Sequence, residues 1–283
     1  MPDPSIIKSV SARQVFSNRG HPGIEATVVT ESGAKGVAQV TAGISVGEHE
    51  VQFLYDGGPK WRGMGLNQAI AKVESIIGPA VIGMDASKQQ EVDAVIIDLD
   101  GTPMKKNLGG NTTASVSAAV LQAGAASLGI PLYQHIGGVN ACVLPVPGVL
   151  TVIGSWRYGH GQGSGGKPSY SLLCYGFESF SDASYAAWTV YGRFLALLSE
   201  TLGMDTMPGA GNISGLVQPG HVKHDRELWD VMVEAIIDAG YEGKIGIQVD
   251  VAAGTYYDKE SVRFLGLFSA EPKTRDDLIR LYE

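Results

Sequence analysis

Apolar and polar residues alternate along three successive stretches within residues 5–55, SIIKSVSARQVF, IEATVVTESG and AKGVAQVTAG. A period of two puts every second side chain on one face, so each stretch predicts a strand, and Glu31-Ser32-Gly33 supplies the turn between the last two. The reading is a three-stranded antiparallel meander. The period then changes. Apolar residues fall at 66, 69, 70, 73, 76 and 77, the three-four spacing of a helix with one buried face, and Gly78-Pro79 is expected to interrupt it. Two more helices are predicted, over Ser87–Leu99 and Thr112–Leu128. In the second of these, Ala114, Ala118, Ala119, Ala123, Ala125 and Ala126 permit close packing, and Gly129 with Pro131 ends it. Three strands followed by helices make an α+β domain over residues 1–137.

Beyond Gly137-Gly138 the texture is different. Short apolar runs, VLPVPGVLTVI, YSLLCY and KIGIQVDVAA, are separated by helical periodicity over Asp182–Leu202 and around 225–239. Strands interleaved with helices predict a barrel-type or layered α/β domain over residues 138–283. No internal repeat or heptad run is visible.

Composition narrows the function classes. With 44% hydrophobic and 18% charged residues in 283, the chain can bury a sizeable core and is not a disordered polymer. A net charge of −8 without any Lys/Arg cluster excludes nucleic acid as a partner, while small anions stay open through local groups. MPDPSIIKSVSARQ has no apolar signal core and no apolar run approaches about 18 residues, so neither secretion nor membrane insertion is expected. The expected compartment is the cytoplasm, with Cys142 and Cys174 as buried free thiols, since they lack C-x-x-C spacing. The Gly-rich stretch 154–169, GSWRYGHGQGSGGKPS, matches neither GxxxxGK[ST] nor GxGxxG and is expected to be a mobile loop.

Candidate chemistry comes from a colinear series: SARQVFSNRGHPG, AGISVGEHE, WRGMGLNQA, LDGTPMKKNLGGN, GIPLYQHIGG, LPVP and DVAAGTYY. In this order the segments resemble the enolase family, the Mg-dependent hydro-lyases of glycolysis that interconvert 2-phosphoglycerate and phosphoenolpyruvate. The resemblance implies an N-terminal α+β domain followed by an incomplete α/β barrel holding about the first four of eight strands. Unpaired strand edges would then need cover, from a homo-oligomer (a dimer in many enolases) or from a second chain completing the barrel.

The resemblance also assigns positions. Ser45 falls on the loop serine that ligates magnesium and closes over substrate, although a serine satisfying a turn is an equal reading. His49 and Glu50 match the family's His-Glu pair, and a solvent-facing helix start explains them as well. His160 falls on a loop histidine that contacts substrate, although a lone surface imidazole with no role is an equal reading, and Pro168-Ser169 falls on a Gln-Glu pair. Gly209-Ala210-Gly211-Asn212 falls on the family's DEGG, so Ala210 stands where the general acid belongs, and alanine cannot give or take a proton. Asp250, at the end of KIGIQVD, falls on the first of three carboxylates that hold Mg2+; the alternative is an Asp capping the following turn. One carboxylate alone holds Mg2+ weakly.

Three functions compete. The first is an enolase-family protein not competent for the hydro-lyase reaction as an isolated chain. The second is an enzyme with altered chemistry on another small phosphorylated or phosphonate-bearing acid, using Lys167, Arg157 and His160 as an anion site beside Asp250. The third is a non-catalytic binding or assembly protein, or one half of a split enolase-like complex.

Overall fold

The computed structural model describes residues 4–18, 20–43, 46–153, 157–159, 167–204, 215–217 and 219–283. The chain divides into two compact units, Met1–Cys142 and Val143–Glu283.

In the first unit, β1 (Ile7–Phe16), β2 (Pro22–Thr30) and β3 (Lys35–Thr41) form the antiparallel meander that the alternation predicts, in the order β1-β2-β3. Gly33, at φ 84°, donates its N–H to the Thr30 carbonyl at 2.9 Å and closes the second turn. Ile24, Ala26 and Val28 of β2 are fully buried in the core. On the opposite face of β2, Glu25 pairs across the strands with Arg13 and Gln39. Its carboxylate accepts Arg13 Nε at 2.6 Å and Gln39 Nε2 at 2.7 Å, and these two bonds hold its pKa below the ordinary value.

The helix expected to stop at Gly78-Pro79 does not. α1 (Asn67–Lys72) runs into a π-helical turn (Val73–Ile77), and α2 (Gly78–Val81) continues from it. The wider turn places Pro79 in the first turn of α2, where its missing N–H costs no helical bond. Leu66, Ala69, Val73, Ile77 and Val81 are at most 1% exposed, so a single buried stripe runs through all three pieces. α3 (Gln89–Asp100) ends at Gly101 with φ 67°. α4 (Gly110–Ser127) uses its small residues as the sequence suggests: a Cβ on Gly36 of β3 would lie 2.0 Å from the Ala119 carbonyl oxygen and 2.4 Å from Ala123 N. α5 (Leu132–Gly137) is a further short helix that periodicity does not reveal, because none of its residues is buried.

The DGTPMKKNL turn after α3 is tied by one carboxylate. Asp100, 1% exposed, accepts backbone N–H groups from Thr102 and Asn107 at 3.0 Å each and from Leu108 at 2.7 Å, together with the Thr102 hydroxyl. Burial by itself would raise its pKa, yet these bonds hold it below 3.8.

The second unit carries β4 (Gly148–Ile153), β5 (Ser169–Leu173), β6 (Gly215–Leu216) and β7 (Gly246–Asp250) in the sheet order β6-β4-β5-β7. β5 is antiparallel to β4 and β7, and β6 is parallel to β4. Helices α6 (Phe180–Leu202) and α7 (Arg226–Asp238) share a core with the sheet that includes Tyr170, Leu172, Phe194, Leu198, Leu228 and Met232. The Ser179 hydroxyl caps α6 by accepting Asp182 N at 3.0 Å, and Gly203 ends it at φ 60°. A small hairpin, β8 (Tyr257–Asp258) and β9 (Arg263–Phe264), precedes α8 (Arg275–Tyr282), and around them Tyr256, Leu267, Phe268 and Leu278 make a separate small core.

Among the described residues the strands of this unit make an open mixed sheet and no closed barrel. None of the described helices is long and apolar enough to cross a membrane. Cys174 is buried as expected, but Cys142 is exposed, a correction to the sequence reading. It lies in an irregular stretch whose apolar residues Val139, Val143 and Leu144 are exposed too.

Candidate functional site

The antiparallel register of β5 and β7 sets Ser169 directly across from Asp250. Lys167, two residues before Ser169, turns its side chain onto both: Nζ donates to Asp250 Oδ2 and, at 3.3 Å, to Ser169 Oγ. The Lys167 side chain is 23% exposed and that of Asp250 61%. Two further groups grip the backbone here. The Lys167 carbonyl accepts the Tyr256 hydroxyl, and the Pro168 carbonyl accepts Arg157 Nη2 at 3.3 Å. Asp250 does not cap the turn that follows it; the 3-10 turn Ala253–Thr255 has no side-chain cap.

Arg157 belongs to a buried cluster beside this pair. Asp225, at the head of α7, accepts Arg157 Nε at 3.0 Å, Arg157 Nη2 at 2.6 Å, the Tyr158 hydroxyl at 2.7 Å and the Tyr170 hydroxyl. The Arg157 and Asp225 side chains are 1% and 0% exposed. Burial works against the guanidinium charge, but the bonds and charge of Asp225 outweigh it and leave the Arg157 pKa raised. Burial and the Asp225 charge push both tyrosines up, so they stay neutral donors. Trp229 lies edge-on to Tyr170 at 6.0 Å. This cluster ties the segment after β4, the start of β5 and the head of α7 together.

Of the positions singled out by sequence, Asp250 is described, and it meets Lys167 and Ser169. Ser45, His160 and Ala210 lie outside the described residues, as does most of the 154–169 stretch. His49 and Glu50 are exposed in a turn and not at a helix start. Glu50 Oε2 accepts Gly47 N at 3.1 Å while Glu50 N returns to the Gly47 carbonyl at 3.1 Å, closing one turn that goes no further. Beside it, a recess of about 360 Å³ is lined mainly by Val46, Val51, Phe53 and Tyr55. Arg157, grouped by sequence with Lys167 as an anion site, is enclosed on Asp225 instead.

Sequence reasoning grouped Lys167 and Arg157 beside Asp250 as an anion site but did not foresee that Lys167 pairs with that carboxylate, 83 residues away, nor that Arg157 pairs with Asp225, 68 residues away. The one local signal was an Asp at the start of a predicted helix. That position suggests a cap, yet the Asp225 side chain makes no cap bond and turns inward.

The donors among the described residues do not fit a Mg2+ centre. That ion takes an octahedron of oxygens through carboxylates and waters. Among the described residues no group of three or more His, Cys, Asp or Glu converges on a point, and the Asp250 carboxylate faces an ammonium.

Comparison with known proteins adds a separate finding. Residues 7–136 match the enolase N-terminal domain and residues 141–281 the enolase C-terminal TIM barrel domain. The chain is 39% identical over 284 residues to the enolase of Methanopyrus kandleri, covering 98% of this chain and 64% of that protein. It is 35% identical over 281 residues to the enolase of Aeropyrum pernix (98% and 62%) and 35% over 285 residues to that of Pyrococcus furiosus (100% and 64%). The chain thus spans 62–64% of the length of these relatives.

Proposed function

Because the chain belongs to the enolase family, we propose that it descends from the Mg-dependent hydro-lyases acting on 2-phosphoglycerate but does not carry out that reaction by itself. The observation that supports this reading most is the partner opposite Asp250. The family resemblance puts a Glu at position 169, and the chain has Ser169 there, a hydroxyl that carries no charge and is a poor proton donor near neutral pH. Ala210 in place of the general acid points the same way.

In this reading residues 1–137 are the N-terminal α+β domain and residues 138–283 contribute the opening strands of an enolase-type barrel, whose sheet edges a second chain or a second copy would pair. Ser45 and His160 keep contact with a small phosphorylated acid, and Asp250 is an ancestral metal position. The altered-chemistry reading ranks second, since Arg157 is committed to Asp225 and is not available to an anion.

The test is an assay of the purified chain with 2-phosphoglycerate and Mg2+, following phosphoenolpyruvate by its ultraviolet absorbance. No turnover above the protein-free baseline is expected. Turnover within the ordinary enzyme range, about 1–10³ s⁻¹, overturns the proposal.

A further inference from the structure

We infer that Lys167 is the resident cation of the Asp250 carboxylate, held by the fold in the place a divalent ion would need. The inference concerns what occupies one carboxylate, and it holds whether or not the chain turns over 2-phosphoglycerate.

An exposed lysine near an exposed carboxylate is ordinarily a weak and transient pair. What distinguishes this one is how the lysine is delivered. The carbonyl of Lys167 is held by the hydroxyl of Tyr256, a residue 3% exposed, and the next carbonyl is held by Arg157, whose side chain is 1% exposed and fixed on Asp225. One residue further on, β5 is locked in register with β7 at Ser169 and Asp250. The backbone from which the lysine stem departs is therefore fixed at three successive residues. The stem is mostly covered, and the ammonium has Asp250 Oδ2 and Ser169 Oγ as acceptors.

That placement excludes a second cation by charge and by coordination. A divalent ion on Asp250 would lie within a few ångströms of the ammonium and be repelled by it. Among the described residues it would also find one carboxylate and one hydroxyl where Mg2+ needs an octahedron of oxygens. Lys167 satisfies the carboxylate with a compact point charge and brings no further ligand requirement.

Competitive acylation of the intact chain, read lysine by lysine by mass spectrometry, tests this without any reference to turnover. Lys167 is expected to react about fivefold more slowly than the exposed Lys106 and Lys259, the upper range for an ion pair of this exposure. Asp250→Ala should remove that protection and leave the rates of Lys106 and Lys259 unchanged, whereas unfolding would raise the rates of buried and exposed lysines together. Asp250→Asn, which keeps an acceptor but loses the charge, should give an intermediate rate. Millimolar Mg2+ should leave the wild-type Lys167 rate unaltered. The inference is overturned if Lys167 of the wild type reacts like Lys106, if Asp250→Ala leaves it slow, or if Mg2+ raises its rate to that of Asp250→Ala.

Discussion

Replacing Asp225 by Asn would leave a guanidinium in a dry site without its counter-charge. The carboxylate, 0% exposed, is the meeting point of four donors: Arg157 Nε at 3.0 Å, Arg157 Nη2 at 2.6 Å, Tyr158 OH at 2.7 Å and Tyr170 OH. Asparagine offers one acceptor oxygen and turns an NH2 donor toward at least one of those groups. Two effects add: the lost attraction, about 4 kcal/mol for unit charges at about 4 Å in an effective dielectric of 20, and the donor left unpaired, about 1–3 kcal/mol. Local relaxation offsets part of the sum, and we expect a loss of about 4 kcal/mol, within the range of about 3–5 for breaking buried pairs. Arg157→Met should cost less, about 3 kcal/mol, because the two tyrosines still hold the carboxylate. The double variant Arg157→Met/Asp225→Asn should fall short of the sum of these two single losses by about 3 kcal/mol, the signature of direct coupling. Urea unfolding read by Trp229 emission measures this, with Trp61, Trp156 and Trp188 replaced by Phe so that the signal reports the second unit. Trp229 is well placed as reporter, 6.0 Å from Tyr170 and 5.6 Å from Phe268. A loss under about 1 kcal/mol for Asp225→Asn, or strict additivity in the double variant, would refute the picture of a dry and coupled pair.

Other outcomes can be checked by similar means. Gly36→Ala should lower the unfolding midpoint of the first unit by about 1–3 kcal/mol equivalent, since its methyl would meet the Ala119 carbonyl at 2.0 Å; no change in a thermal melt would contradict the contact of α4 with β3. Asp100→Asn should cost about 2 kcal/mol. Because the folded pKa of Asp100 lies below 3.8, its contribution is complete above that value and disappears as pH falls through the folded one, so the variant should show a flatter acid limb in urea titrations. His224 acts with the same sign in a higher pH window. Burial first, then the charge of Lys273, depresses its pKa below 6.5, with Arg226 acting the same way and Asp225 and Glu227 opposing. The unfolded chain therefore binds more protons between the folded value and 6.5, and the stability of the second unit should rise with pH through that window. His224→Gln should abolish that slope, and an unchanged slope would assign it to another group.

What the sequence disclosed and what it hid follow one physical divide. The meander was legible because alternation is a local signal and β2 buries Ile24, Ala26 and Val28 on a single face. The alanines of α4 announced close packing, though not that Gly36 would be the surface they touch. Gly78-Pro79 read as a break because proline usually ends a helix, whereas the π turn before it removes the conflict. α5 buries nothing and so leaves no periodic trace. For the site, resemblance picked out positions 169 and 250, and Lys167 was grouped beside Asp250. That Lys167 pairs directly with that carboxylate, and that Arg157 turns away to Asp225, depend on strand register and on contacts between residues 68–83 positions apart, which no local pattern encodes.

The polar clasp on β2 carries a consequence for how the meander assembles. Sliding β2 by one residue would turn Glu25 inward beneath α4 and send Ile24 outward, stranding an anion among apolar side chains away from Arg13 and Gln39. A carboxylate that appears merely decorative on the finished sheet thus acts as a proofreader during folding, making the misaligned alternative too costly to persist.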